Sequence, residues 1–373
     1  MDKANRSASL DGQLKEFRAA LLGWFAQFQR DLPWRRSRDP YRIWISEIML
    51  QQTRVATVIP YYERFLQRFP SVQALAAAPE EEVLRMWSGL GYYSRARNLQ
   101  QAAKQIVAKY GGEFPRTRAK VLELPGIGEY TASAILSLAF GEQLAVLDGN
   151  VARVVARLDA LDGDLRGPGR WRALQQRADQ LLARKEAGDW NQAMMELGAT
   201  RCAPRAPQCL LCPVERFCEA RKLGIADEIP EKRRKRAAVV IRLAAAVFLD
   251  KGGRSLLLPP PAGSNGNKAE DHVPSLVAKL WHFPTVPEAG NAEAVLKKFL
   301  MEELALKGPA LLAFEPLEKV RHTVTYRKIE VAPFLVRIRT LPTVSGAKAM
   351  QLDEILQEPI SNLTRKVARA AVK

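Results

Sequence analysis

Leu124-Pro-Gly-Ile-Gly-Glu-Tyr-Thr-Ala132 is a break followed at once by a helix start. Pro125 and Gly126 turn the chain, Gly128 leaves the backbone bare, and residues from Glu129 to about Phe140 resume helical apolar spacing. Upstream, Thr117 to Leu124 reads as a short helix, so the stretch is a hairpin of two helices. Bare backbone at such a turn has a chemical use. Glycines let an anion come close, and the N–H groups at the positive end of the next helix bind phosphate oxygens without reading bases. Gly126 and Gly128 are therefore candidate phosphate-contacting residues. Any helix-helix turn can use glycine, so the rest of the chain has to decide.

Outward from that turn, apolar residues keep helical spacing from Leu10 to Leu197, as in Leu14, Phe17, Leu21, Leu22 and Phe25, or Leu99, Ala102, Ala103 and Ile106. Breaks at Pro33, Pro40, Pro70, Pro79, Gly111-Gly112 and Gly167 to Gly169 cut this region into helices of ordinary length. The texture then changes. After the basic run Glu231 to Arg236, read as a solvated tether, come β-branched stretches at Val239 to Leu249, Leu256 to Leu258 and Val320 to Val336. An amphipathic helix is expected over Ala292 to Leu306, and a polar loop over Pro259 to Pro274. The expected fold class is multidomain, all-α followed by α+β: a helical domain over 1–225, a basic linker over 226–237 and an α+β domain over 238–373. A chain of 373 residues suits two cores better than one.

Lys and Arg number 57 against 40 Asp and Glu, a formal charge of +17. Such an excess favours a polyanionic partner by neutralising phosphates and releasing counterions. Nucleic acid leads and an anionic membrane surface is second. The membrane reading weakens because no apolar run reaches bilayer length and Met1 to Ser9 is polar, so a soluble intracellular protein is expected.

All four cysteines, Cys202, Cys209, Cys212 and Cys218, fall in one short segment (202–218). Disulfides staple loops spread through a small core, whereas thiols gathered this tightly point to metal ligation. Four thiolates meet the demand of a 4Fe-4S cluster, and tetrahedral zinc accepts the same set. The paired short intervals of a zinc ribbon are missing, since there is only one Cys-x2-Cys.

Two carboxylates stand out by setting. Glu47 interrupts the apolar run Ile43-Trp-Ile-Ser-Glu-Ile-Met-Leu50, where burial would raise its pKa and let it carry a proton near neutrality; a helix-surface glutamate is the plain alternative. Asp148 precedes Gly149-Asn150 and a helix from Val151 to Leu161, the position of an ordinary N-cap. Together a protonated and an ionised carboxylate are what glycosidic cleavage needs, one for the leaving group and one against the cationic sugar.

These segments in this order, with Leu32-Pro-Trp-Arg35, Glu47-Ile-Met-Leu-Gln-Gln-Thr-Arg54, Gly89-Leu-Gly-Tyr-Tyr-Ser-Arg95, Leu147-Asp-Gly-Asn-Val-Ala-Arg153 and the cysteine loop, closely resemble the adenine DNA glycosylase family known as MutY. The likeness runs from about Leu10 to Leu223 and continues more weakly through a domain similar to Nudix folds. It implies a helix-hairpin-helix glycosylase with a 4Fe-4S cluster on Cys202, Cys209, Cys212 and Cys218. It also implies that Glu47 protonates a flipped adenine at N7 and that Asp148 stabilises or transiently bonds the sugar cation. Gln52, Thr53 and Leu90 match residues at or against 8-oxoguanine, and Arg35 and Glu196 match adenine-pocket positions. The expected partner is duplex DNA with 8-oxoguanine:adenine or guanine:adenine mispairs. The protein is expected to act as a monomer, without a membrane or a further cofactor, in the cytoplasm beside the nucleoid if bacterial.

Tyr130 separates two branches of chemistry. Endonuclease III-like enzymes resemble this chain but carry lysine there and nick the strand through a Schiff base, so tyrosine implies base removal alone. A lyase of that class and a non-catalytic DNA-binding module are the competing readings. A Nudix hydrolase is rejected because no glutamate-rich metal-binding box follows Leu280-Trp-His-Phe-Pro284, which departs from the family's Leu-Trp-Glu-Phe-Pro at His282. In the lesion-reading loop, Thr325 stands where the family has Ser or Thr, and Tyr326 where it has His; His322 reads as an ordinary strand histidine.

Overall fold

The computed structural model describes residues 3–231, 236–260, 280–306 and 311–372. Most of the basic run Glu231 to Arg236 and of the loop Pro259 to Pro274 lies outside the described residues. The chain divides into two units, Met1–Ala77 with Asn98–Arg234 and Ala78–Arg97 with Lys235–Lys373. No described helix is long and apolar enough to cross a membrane.

The first unit is helical: α1 (Lys3–Phe28), α2 (Pro40–Leu50), α3 (Val55–Arg68) and α4 (Val72–Ala77), and, past α5 (Glu80–Trp87) of the other unit, most of α6 (Ser94–Tyr110). It continues through α7 (Arg118–Leu122), α8 (Glu129–Phe140), α9 (Gly149–Leu158), α10 (Pro168–Leu181), α11 (Ala187–Thr200) and α12 (Glu219–Lys222). One core joins α1, α9, α10 and α11. Phe17, Leu21 and Phe25 meet Val151, Val154, Val155 and Leu158, which recur every three or four residues and so share one face of α9. Phe17 sets its ring edge-on to Trp190 of α11 at 5.6 Å. Each large side chain fully buried here stabilises by roughly 1.5–3 kcal/mol.

The second unit is α+β. It holds α5 and the turn after it, strands β1 (Val239–Leu249), β2 (Arg254–Leu257) and β3 (Thr285–Pro287), helix α13 (Ala292–Glu302), β4 (Leu311–Pro316), β5 (Val320–Val324), β6 (Arg327–Ile338), β7 (Lys348–Gln351) and α14 (Asn362–Val372). The sheet order is β3-β1-β6-β4 with β5 also on β6, and β2 pairs β7 apart. β1 and β6 run parallel, from Val239↔Arg327 to Leu249↔Arg337. Alternation along β1 explains its apolar texture. Leu243, Ala245 and Val247 face Leu363 and Val367 of α14, while Ala244, Ala246 and Phe248 face Leu296 and Leu300 of α13.

Two elements differ from the sequence reading. The stretch Val320 to Val336 is a hairpin, broken at Thr325 and Tyr326, where Thr325 takes φ 55°. The helix expected to reach Leu306 ends at Glu302. The local pattern of residues 78–97 matches the helical half, yet they pack with the second unit.

Candidate active site

α2 starts sharply, with Asp39 accepting from the Tyr41 amide at 2.9 Å and Pro40 at the first helical position. From Ile43 to Met49 every residue is buried, so the helix has no polar face there. Glu47 is 6% exposed, which rules out the surface-glutamate reading. Burial pushes its carboxyl up to about 7, with the negative charge of Asp148 adding to the rise and a hydrogen bond from Tyr130 opposing it.

Asp148 caps α9. Its Oδ1 accepts from the amides of Asn150 at 2.9 Å and Val151 at 2.7 Å, and its Oδ2 from Asn150 Nδ2 at 3.0 Å. The cap reading and the catalytic reading are thus compatible: the contacts that start the helix also hold the carboxylate. Tyr130, on the first turn of α8, hydrogen-bonds with the Glu47 carboxyl, and its hydroxyl also donates to Met195 Sδ at 3.3 Å. Burial and the nearby carboxylates hold the phenol well above its usual range, so it stays a neutral donor.

Glu47, Tyr130 and Asp148 line one cavity of about 350 Å³. Arg35, Gln52, Thr53 and Glu196 line the same cavity, all within the first unit. Glu196, 1% exposed on α11, is clamped by Arg30 through both carboxylate oxygens at 2.7 and 2.8 Å and by Arg35 Nη2 at 2.8 Å. Burial alone would raise its pKa, but the hydrogen bonds from Arg30 and Arg35 outweigh that and hold the carboxyl below its usual value. The two buried carboxylates are therefore pushed in opposite directions. Past the end of α2, Gln52 takes φ 56°, a conformation costly for a residue with a side chain. Nothing in the residue types of Gln51-Gln52-Thr53 announces that strain.

In the hairpin, Gly126 takes φ 78°, and an added Cβ would lie 2.8 Å from Asn98 Cβ. Gly128 differs. Its φ is −103°, an added Cβ meets nothing within 4 Å, and no side chain caps α8. The start of α8 therefore offers backbone N–H groups on an open surface.

Residues 45–177, which hold Glu47, Tyr130, Asp148 and this hairpin, match the HhH-GPD superfamily of base excision DNA repair proteins. A solved thermostable thymine-DNA glycosylase aligns over 58% of this chain and 99% of its own, with 32% identity and a TM-score of 0.53. The chain belongs to this superfamily, and part of it is similar to curated adenine DNA glycosylases. The human adenine DNA glycosylase is 49% identical over 219 residues, 56% of this chain and 40% of that protein. That of Buchnera aphidicola (Baizongia pistaciae) is 40% identical over 205 residues, 55% of this chain and 58% of that protein. The chain spans less than two thirds of the length of the curated relatives it matches.

The cysteine loop follows α11. All four sulfur-bearing residues line one small cavity with Arg157, although no set of three or more ligand side chains among the described residues stands at metal-binding spacing. The donor chemistry fits a cluster. Burial pushes the Cys212 thiol up to about 12, so anionic sulfur in this place calls for a cation beside it. Arg157, 1% exposed, donates to Cys202 Sγ at 3.3 Å and to the Ala203 and Ile229 carbonyls at 2.7 Å. Arg153 reaches the Cys202 carbonyl at 2.9 Å, the Gly198 carbonyl at 2.7 Å and Asn150 Oδ1 at 3.0 Å. Because Asn150 also donates to Asp148, hydrogen bonds run unbroken from the cysteine loop to the cavity. The sequence reading missed both arginines, whose helical positions look like a solvated face.

Leu90 and Thr325 belong to the second unit. Leu90 is buried, and the exposed apolar side chain of its turn is Tyr92. Tyr326, at the hairpin tip, is flanked by the guanidinium groups of Arg236 and Arg327, 4.6 and 4.8 Å from its ring centre. His322 lies on β5 opposite Ile329.

Proposed function

We propose that this chain is a monofunctional adenine DNA glycosylase, which removes adenine mispaired with 8-oxoguanine or guanine. One observation carries the reading: a buried carboxyl poised near neutral pH shares a cavity with a hydrogen-bonded carboxylate. That is the pairing N-glycosidic hydrolysis requires. A cavity of about 350 Å³ suits one extruded base, and the target cannot be reached inside the stack. Glu47 gives its proton to adenine N7, the C1′–N9 bond breaks, and adenine leaves with that bond's electron pair. The Asp148 carboxylate faces the resulting sugar cation. Water adds to C1′, and its proton returns to Glu47. Tyr130 holds the Glu47 carboxyl by a hydrogen bond and, as a phenol of raised pKa, supplies no amine for a Schiff base.

The proposed ligands of a 4Fe-4S cluster are Cys202, Cys209, Cys212 and Cys218. Such a group, when bound, supplies a structural tie and a site able to exchange one electron. Iron and acid-labile sulfide with visible absorption support it; stoichiometric zinc in a colourless protein overturns it.

The test is adenine release from duplexes with adenine opposite 8-oxoguanine, guanine or thymine, with a guanine:thymine duplex as a further arm. Alkali is added separately. Free adenine from the first two duplexes, with strand breaks only after alkali, is the expected result. Strand cleavage without alkali, or release of thymine instead, overturns the reading.

A further inference from the structure

A second cavity, of about 270 Å³, adjoins the one that holds Glu47 and Asp148. Both belong to the first unit, and Trp34, Arg35, Leu138 and Gln192 line both. The two lie in series along α8 and α11, which run antiparallel. At one end the Tyr130 hydroxyl donates to Met195 Sδ beside the carboxylates; at the other Asn191 Nδ2 donates to Ser137 Oγ at 2.8 Å, where Leu138, Gly141 and the first turn of α11 line the second cavity. Tyr130 to Leu138 spans about 12 Å of helix. The second cavity thus sits at the end of α8 away from the hairpin, whose bare N–H groups are where phosphates approach. Exposed Arg38, Lys185 and Glu186 line it as well, so it reaches solvent on its own side.

Three members of the shared wall or its frame are fixed. Trp34 is buried, its ring edge-on to Tyr62 at 5.5 Å, and Arg35 is held by Glu196 at 2.8 Å and by the Arg30 carbonyl at 3.2 Å. The two helices touch, since an added Cβ on Gly188 would lie 2.9 Å from the Ser137 carbonyl oxygen. Gln192 differs. Its side chain is partly exposed and engaged by no hydrogen bond among the described residues, so it can change rotamer without moving the backbone.

The space beyond suits a flat, uncharged base with N–H donors and ring-nitrogen acceptors. Trp34 offers an aromatic ring, and Gln29, Ser37 and Asp189 offer polar groups. The duplex behaves otherwise. A chain of formal charge +17 holds DNA through phosphates, and breaking one glycosidic bond removes none of them. A base able to leave only on the duplex side would wait for the duplex to go.

We propose that the second cavity is the exit for the cleaved base, a subsite for free adenine reached past Gln192, so that adenine departs while the abasic duplex is still held. The inference rests on the glycosylase reading and deepens it by ordering the two products.

The experiment follows both products of the full-length enzyme in a single turnover, with tritium in the adenine opposite 8-oxoguanine and a fluorophore on the duplex. Adenine passing a filter that retains protein gives base departure, loss of anisotropy under an unlabelled competitor gives duplex departure, and breaks revealed by alkali give bond cleavage. In the wild type, adenine should depart at least about tenfold faster than the duplex. Ser37→Trp, whose larger side chain fills the second cavity, should keep cleavage within about twofold while base departure slows to the rate of duplex departure. Lys185→Trp narrows the same cavity from its exposed side, should act alike, and serves if Ser37→Trp does not fold. Adenine and duplex leaving the wild type together, or a filled variant that still releases adenine as the wild type does, overturns the proposal. If the wild type forms no free adenine, the glycosylase reading itself fails and the exit falls with it.

Discussion

Glu47 and Asp148 share one cavity but are held in opposite ways. Asp148 accepts three hydrogen bonds from Asn150 and Val151 at the head of α9, whereas Glu47 sits within an apolar helical run and takes one hydrogen bond from Tyr130. Burial in that apolar run favours the carboxylic acid form of Glu47. The Asp148 charge also raises the pKa of Glu47, so each residue supports the role of the other.

The cleavage rate should follow the protonated fraction of Glu47. Single-turnover adenine release is expected to fall as pH rises through about 7, the value to which burial pushes this carboxyl. Glu47→Gln should lower the rate by about 10²- to 10⁴-fold and remove that limb of the profile. An unchanged profile in the variant would exclude Glu47 as the acid.

The same residue should cost stability. In the folded protein the carboxyl keeps its proton up to about 7, while the unfolded chain releases it near 4.5. Its favourable contribution is thus fully present below about 4.5 and is lost as pH rises toward 7. Glu47→Gln should match the wild type near pH 4 and be more stable by about 3 kcal/mol or slightly more at pH 8, from ~1.4 kcal/mol per pKa unit. Thermal melts of both proteins at the two pH values check it; a variant less stable at pH 8 contradicts it.

Asp148→Asn separates capping from charge. Asparagine caps a helix about as well as aspartate, so melting should shift by well under about 1 kcal/mol in equivalent stability. Adenine release should nonetheless fall by about 10²-fold or more, because the neutral amide cannot balance a sugar cation. A large melting shift with intact activity would reduce Asp148 to its cap.

Much of this was legible in the chain. Helical spacing and a Pro-Gly turn place the hairpin, and the apolar run that Glu47 interrupts marks it as a candidate, with a helix-surface glutamate as the alternative that only its burial removes. What that run cannot say is whether the carboxyl meets a partner, because Tyr130 and Asp148 lie on other helices. The left-handed backbone at Gln52 was illegible, since only glycine advertises it. Arg153 and Arg157 were missed because their partners are carbonyls some 45 to 72 residues away. Residues 78–97 were likewise assigned by local pattern, while their packing depends on α14.

Arg153 joins the cysteine loop to Asn150, and through it to Asp148. Arg153→Gln should leave carbonyls of Gly198 and Cys202 without their donor, at a cost of roughly 1–3 kcal/mol for each buried group. Lower iron content, a lower melting temperature and slower adenine release are expected together. If release slows while iron content and melting hold, the link to Asp148 acts without the loop; if all three hold, the chain of hydrogen bonds has no role.

The two hairpin glycines should fail differently. Gly126→Ala puts a Cβ at φ 78° and 2.8 Å from Asn98 Cβ, so it should destabilise the fold by about 1–2 kcal/mol from backbone strain, with the clash adding more. At Gly128 the backbone is extended enough for any residue and the space is open, so Gly128→Ala should melt like the wild type. Its methyl group instead stands where a phosphate would approach the start of α8. Duplex affinity should therefore drop several-fold, about equally for mismatched and fully paired DNA, since backbone contacts carry no sequence information. Titration of both variants with both duplexes checks the contrast. A loss of affinity confined to the mismatched duplex would mean that the turn reads the lesion rather than the phosphate.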